Sequence, residues 1–354
     1  MSTFGKQKIR AVESTSVLNG EVIRPISRRH YKVGNKTFTY IAPQMSISSF
    51  KNSMQLSGSE EYHIAGVISE GVFHHRGFTK YAGKYQQQTS WWRNMGGSFD
   101  IQLSHANRID IKEAFTWFVP GLYWHWFLED LPCIEAFRTK PDLPIYTAKL
   151  NHFQKESLEF FQDIKERIVE VDTPCYLVGD IHVVNYPSIS NRGKSAKWCS
   201  EFLRDSLKPN STKGPKRVYI SRNDALARRV DNESQLIEVL KKMDFFIADD
   251  TTGMTLQEKV NLFANADIVV APTGANLTHT HSMKSGGIVI DFNHSFEISE
   301  ECGWNNIGDA VGLDWTTLMA ETTGKCIERP KPKNSHMRVN INKLTKVIND
   351  KLAI

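Results

Sequence analysis

The stretch from residue 217 to residue 292 constrains the fold most. It holds four short apolar runs, at 217–222 (RVYISR), 245–248, 267–272 (DIVVAP) and 287–292 (GIVIDF), each too short for a helix and rich in β-branched residues. Between the first two lies 232–243 (NESQLIEVLKKM), where Leu236, Val239, Leu240 and Met243 recur on one helical face. Between the second and third, Thr255-Leu256-Gln257-Glu258 has the spacing of a capping box and opens a helix to Ala266, with Leu256, Val260 and Phe263 inward. Strands alternating with helices at this spacing predict βαβ units and an α/β fold with a parallel, doubly wound sheet. Such sheets bind ligands at the carboxyl ends of their strands, where helix N-termini point.

The rest of the chain is less regular. Short β-like runs occur at 37–42, 62–69, 143–148 and 167–171, and an aromatic, helix-like stretch lies around 124–137. Residues 208–216 (KPNSTKGPK) form the clearest linker, polar and with two prolines and a glycine. A chain of 354 residues suits two domains, and the linker divides 1–207 from 208–330. The tail 331–354 ends in a short helix at 341–352, expected to pack back on the N-terminal domain.

Composition excludes several classes. With 40% hydrophobic and 23% charged residues the chain is globular. No run of 18 apolar residues exists, so no membrane span is expected. The opening MSTFGKQKIRAVEST lacks the apolar core of a secretory signal. A net charge of +5, from 44 basic and 39 acidic residues, suits an anionic ligand in one cleft rather than a nucleic acid, which calls for a dense basic stripe. Five cysteines with no C-x-x-C pair argue against structural zinc and a disulfide framework, and for a reducing compartment.

Three segments could carry chemistry. Residues 271–278 (APTGANLT) follow a strand, and a small-residue turn there leaves backbone N–H groups to hold a phosphate, unless it is an ordinary βα turn. It is neither a dinucleotide-binding G-x-G-x-x-G nor a Walker loop. Residues 221–229 (SRNDALARR) bring Arg222, Arg228 and Arg229 to the end of the preceding strand, where guanidinium groups could pair with a diphosphate or form a solvated loop. In 121–132 (GLYWHWFLEDLP), a helix would put His125 and Glu129 on one face, as a general base with a fixed tautomer or as a hydrogen-bonded core histidine. There is no Asp-x-Asp, the Cys and His spacings make no metal cluster, and His279 and His281 alternate without further ligands, so a metal-free mechanism is preferred.

Taken together, these segments resemble glycosyltransferase family 61, which includes plant xylosyltransferases, eukaryotic O-linked N-acetylglucosaminyltransferases and bacterial capsular polysaccharide enzymes. The resemblance runs from about residue 121 to 318 through four ordered motifs: YWHWFLEDLP at 123–132, YISRNDALARRVDNE at 219–233, TLQEKVNLF at 255–263 and APTGANLT at 271–278. The third carries Lys259 where the family has glutamine; the fourth carries Ala271 and Thr273 for glycine and histidine.

The resemblance implies a GT-B architecture, two Rossmann-like domains facing a cleft, with residues 1–207 on the acceptor side and 208–330 binding the donor. It implies inverting transfer of a sugar from a nucleotide-sugar donor, a UDP-sugar, to a hydroxyl of a glycan or glycoconjugate acceptor, with no cofactor and no metal. His125 is the expected base, held by Glu129 or Asp130. Arg222, Arg228 and Arg229 would neutralise the leaving diphosphate together with the turn at Thr273, Gly274, Ala275 and Asn276. Glu258 would bind ribose hydroxyls unless it is only the capping carboxylate, and Trp91-Trp92 would stack on acceptor sugars or pack in a core. With no anchor or signal, a cytoplasmic enzyme of a bacterial cell or a virus-infected host cell is expected. The alternative is a non-catalytic glycan- or nucleotide-binding relative of the same fold.

Overall fold

The computed structural model describes residues 107–117, 122–172, 175–184, 196–294, 304–324 and 334–353, with strand segments at 8–13, 21–24, 27–33, 36–42, 45–57, 66–69, 72–75 and 98–100. Two compact units are present, Met1–Ser27 with Ile41–Asn191, and Arg28–Tyr40 with Arg192–Ile354. Trp91 and Trp92 lie outside the described residues, as do Cys302 and Cys326; Cys133, Cys175 and Cys199 are buried.

The first unit holds a mixed sheet. Its strands include β1 (Met45–Ser57), β2 (Asn107–Thr116), β3 (Ile145–Ala148), β4 (Ile168–Val171) and β5 (Cys175–Val184). Parallel pairing gives the order β4-β3-β2-β5. The antiparallel β1 then continues the sheet toward Gly66–Ser69, Val72–His75, Lys8–Glu13 and Ser98–Asp100. Helix α1 (His152–Leu158) links β3 toward β4, opened by a reciprocal capping box of Asn151 and Gln154. Beneath β2, Phe115 and Trp117 pack edge-on against Phe137, and Trp117 stacks on Trp126 with centroids 4.7 Å apart.

The second unit matches the periodicity closely. Five parallel strands, β6 (Arg217–Ile220), β7 (Phe246–Ala248), β8 (Ile268–Pro272), β9 (Ile288–Asn293) and β10 (Asp314–Met319), lie in the order β7-β6-β8-β9-β10. Alternate residues point to opposite faces, and both sets are buried: Val218, Val269 and Val289 on one, Tyr219, Val270 and Ile290 on the other. The second set packs with Leu236 and Leu240 of the helix at Glu233–Lys242 and with Leu344 and Ile348 of the helix at Ile341–Leu352. The helix at Leu256–Asn265 starts at the expected capping box and buries Leu256, Val260 and Phe263.

Three expectations need correction. The unit boundary falls at 191/192, so the helix Lys197–Ser206 belongs to the second unit, where Arg204 donates to the carbonyls of His281, Met283 and Val311. The tail helix packs on the second unit's own sheet, because Leu344 and Ile348 extend the apolar surface of Tyr219 and Ile290. The 124–137 stretch is not one helix: Tyr123–His125 is α-helical, Trp126–Asp130 a π turn, Leu131–Cys133 a 3-10 turn and Ile134–Phe137 α-helical again. Pro132 has no N–H to continue an α ladder, so the backbone changes pitch around it.

Candidate active site

In the second unit the strand order reverses at β6. The chain moves outward from β6 to β7, then returns past β6 to add β8, β9 and β10. The loops leaving the carboxyl ends of β6 and β8 therefore flank a topological switch point, where doubly wound sheets hold ligands. Those loops are residues 221–229 and 273–276, which fall in two of the three segments that the sequence singled out.

The structure brings Arg222 and Gly274 together. Arg222 Nε donates to the carbonyl of Ala227 at 2.9 Å, which turns the side chain across its own loop. A Cβ on Gly274 would collide with Nη1 of Arg222. The φ of Gly274 is 178°, extended backbone that any residue adopts, so the glycine is needed for the guanidinium lying on it and not for its own conformation. After Gly274 the chain enters a 3-10 turn, Ala275–Ser282. The opening amides of such a turn have no acceptor within it. The side chain of Asn276 is held across the gap, Nδ2 donating to the buried Thr251 Oγ1 at 2.7 Å. Thr273 continues β8, its N–H donating to the Phe292 carbonyl at 2.9 Å, and its hydroxyl is buried without a hydrogen-bond partner.

Arg228 and Arg229 are fixed mainly by their backbones. Arg228 has φ 61°, a left-handed conformation rare for a long side chain. The segment at 334–337 straps it there: Arg228 N–H donates to the Asn334 carbonyl, Arg229 N–H to His336 Nδ1, and Met337 N–H to the Arg229 carbonyl. Arg229 Nε donates to the carbonyl of Ala225, and its side chain lies on the exposed rim. Glu258 is exposed too. Its Oε2 accepts from Thr255 N–H at 2.8 Å and from the Thr255 hydroxyl at 2.9 Å, and those bonds hold its carboxyl below the usual range. Its geometry is that of the helix cap.

In the first unit the motif segment follows the carboxyl end of β2. Trp126 Nε1 donates to Ser157 Oγ at 2.8 Å, which pins the π turn. His125 is 8% exposed, and Glu129 and Asp130 are fully buried. His125 Nδ1 lies 2.9 Å from Glu129 Oε2. With Glu129 ionised, Nδ1 donates to it and Nε2 carries the lone pair. Burial pushes the imidazole down to about 3, so at neutral pH it is an uncharged acceptor.

The remaining candidate histidines are core groups. His279 and His281 are fully buried, with centroids 5.9 Å apart, and burial keeps both neutral. Among the described residues no three His, Cys, Asp or Glu side chains gather as a set that could hold a metal ion. No helix among them is long and apolar enough to cross a membrane.

Two polar groupings escaped the sequence reading. Ser49 Oγ and Glu113 Oε1 each lie 2.7 Å from opposite ring nitrogens of His182, a line across β1, β5 and β2 that no spacing along the chain reveals. Asp291, inside the apolar run of β9, accepts from Trp315 Nε1 at 2.9 Å and Thr317 Oγ1 at 2.6 Å. An acid inside GIVIDF was the available signal.

Both candidate segments lie inside one recognisable span. Residues 123–290 match the family model of Glycosyltransferase 61. The match takes in His125, Glu129, the Arg222 loop, the capping box and the Thr273–Asn276 turn, and it supports glycosyltransferase activity. No curated protein matches the chain. Among solved structures, the dodecameric iron-containing glycosyltransferase TibC from enterotoxigenic E. coli H10407 is similar at 12% identity over 72% of this chain and 76% of that one, with a TM-score of 0.32. The heptosyltransferase TibC in complex with ADP-D-beta-D-heptose is similar at 12% identity over 73% and 81%, also with a TM-score of 0.32.

Proposed function

We propose that this chain transfers a sugar from a nucleotide-sugar donor, a UDP-sugar, to a hydroxyl of a glycan acceptor, with inversion and without a metal ion. The observation that carries the proposal is the seat of Arg222 on Gly274 at the switch point of the second unit. It supports a diphosphate site built from a guanidinium, the opening amides of a turn and the Asn276 side chain. The absence of any Asp-x-Asp in the sequence supports neutralisation by arginine rather than by a cation.

In this reading the two units form a GT-B pair with the donor on the second. The acceptor hydroxyl gives its proton to His125 Nε2 while its oxygen bonds to the anomeric carbon. The bond from that carbon to the diphosphate breaks, and its electrons pass to the leaving phosphate, where Arg222 meets the growing charge. Glu129 holds the Nδ1 proton and stabilises the imidazolium formed at that moment. Single displacement inverts the anomeric centre.

The test is release of nucleoside diphosphate from a panel of nucleotide sugars by purified protein, with and without EDTA. Acceptor-dependent release that survives EDTA is expected. Activity lost with chelator and restored by manganese would remove the metal-free mechanism. Saturable donor binding with no release or hydrolysis would instead support the non-catalytic relative.

A further inference from the structure

A further polar group, His294, lies on the same edge of the second unit's sheet as the loops that carry Thr273 and Arg228. His294 directly follows β9, whose neighbour β8 ends at Pro272. The Thr273 N–H bonded to the Phe292 carbonyl places Thr273 beside the end of β9. Neighbouring strands lie about 4.8 Å apart, so the end of β9 is one strand from the Gly274 turn and two from Arg222, within reach of one ligand.

The polar atoms there are unsatisfied. Both ring nitrogens of His294 are shielded from solvent and have no hydrogen-bond partner, and the same holds for the hydroxyl of the fully buried Thr273. Arg228 is close enough for its charge, after burial, to hold the His294 ring below its ordinary range. Buried groups that make no hydrogen bonds cost stability, and leucine and valine would fill these two places at no such cost. Polar groups kept at a structural cost, beside a guanidinium and on the edge where doubly wound sheets take ligands, are groups awaiting a partner.

We infer that His294, with Thr273 and Arg228, forms a second oxyanion contact beside the Arg222 seat. The inference rests on the donor reading above. Its ligand is an anionic oxygen of the donor, either of the diphosphate itself or of an acidic group on the sugar.

Calorimetric titration of wild type, His294→Leu, His294→Gln, Thr273→Val and Arg222→Ala with inorganic pyrophosphate, UDP, UDP-glucose and UDP-glucuronate tests it, with a thermal melt of each variant. His294→Leu and Thr273→Val are expected to weaken binding by roughly tenfold while melting at or above the wild-type temperature, and His294→Gln to recover part of the affinity. A loss shared by pyrophosphate and UDP assigns the contact to the diphosphate. A loss confined to UDP-glucuronate assigns it to an acid on the sugar. Unchanged affinity for all four probes in the His294 and Thr273 variants, with binding lost in Arg222→Ala, overturns the inference and leaves the donor site standing. Unchanged affinity with a lower melting temperature also overturns it, since the residues would then be core. A wild type that binds none of the four overturns both readings.

Discussion

The Arg222 seat and the His125 pair are built on opposite principles. Arg222 is half-buried, its guanidinium laid on a glycine and tied to a loop carbonyl. His125 is buried, uncharged and fixed by a carboxylate, inside a segment whose helical pitch changes three times in fifteen residues, from Tyr123 to Phe137. One arrangement keeps a permanent positive charge near solvent, where an anion can reach it. The other keeps an uncharged imidazole beside a buried carboxyl group. A transfer reaction needs both, because negative charge grows on the leaving group as the attacking hydroxyl loses a proton.

The largest effect should come from breaking the proton side. His125→Ala is expected to lower turnover by about 100- to 10,000-fold, the usual range for loss of a general base, and to leave donor affinity within twofold (about 0.4 kcal/mol). Turnover assays with calorimetric donor affinity check this. Because burial holds the imidazole down to about 3, the wild-type profile should show no acid limb from this residue between pH 5 and 8. Near-normal turnover in His125→Ala would pass the role to Glu129 or Asp130.

Breaking the anion side should cost less, and in a different parameter. Arg222→Ala is expected to weaken donor binding by roughly 10- to 100-fold, as for one charge-assisted contact, with a larger loss in turnover and partial recovery in Arg222→Lys, which lacks the bidentate fork. Gly274→Ala should displace the guanidinium without removing its charge, and so weaken donor binding less than Arg222→Ala. A Gly274→Ala protein with wild-type affinity would show that the seat is incidental.

How much of this the sequence could reveal follows from the same contrast. In the second unit β6 to β9, the capping box and the tail helix at Ile341–Leu352 are local periodicities and were legible from spacing, whereas β10 and the helices at Lys197–Ser206 and Trp304–Val311 were not read. The contact of Arg222 with Gly274 was not, since the residues are far apart in the chain and only the return of β8 past β6 joins them. In the first unit His125 and Glu129 could be paired by their spacing, yet the π turn could not be foreseen from helical periodicity. Ser49, His182 and Glu113 meet through strand register alone.

A third test concerns the floor beneath the anion edge. Asp291 is fully buried under the end of β9, and burial pushes its carboxyl up to about 6 against the bonds from Thr317 and Trp315. The folded-state value lies above the unfolded one, so the native chain holds the proton longer. Its stabilising effect is full below about pH 4 and is lost as pH rises through 6, a swing of about 3 kcal/mol. Asp291→Asn keeps an acceptor without the charge. Denaturant unfolding should show the variant gaining on wild type between pH 4 and 7.5, and equal pH dependence in the two proteins would remove the assignment.

The smallest expected effect separates a cap from a ligand. Glu258 could serve the donor or only its own helix, and its Oε2 is already engaged twice by Thr255. The depressed carboxyl follows from those bonds, so the cap is complete above the ordinary glutamate range and weakens as pH falls through the lower folded-state value. If capping is its whole role, Glu258→Gln should keep donor affinity and turnover at wild-type levels, lose a little stability near neutral pH, and converge on wild type as pH falls. Thr255→Ala, which removes the other half of the box, should cost about 1 kcal/mol and likewise spare donor binding. Measured together, the two variants discriminate cleanly. Parallel small losses in unfolding midpoint with unchanged donor titrations identify a cap, whereas weaker donor binding in Glu258→Gln alone would return the carboxylate to the ribose and widen the anion side of the comparison to a third loop.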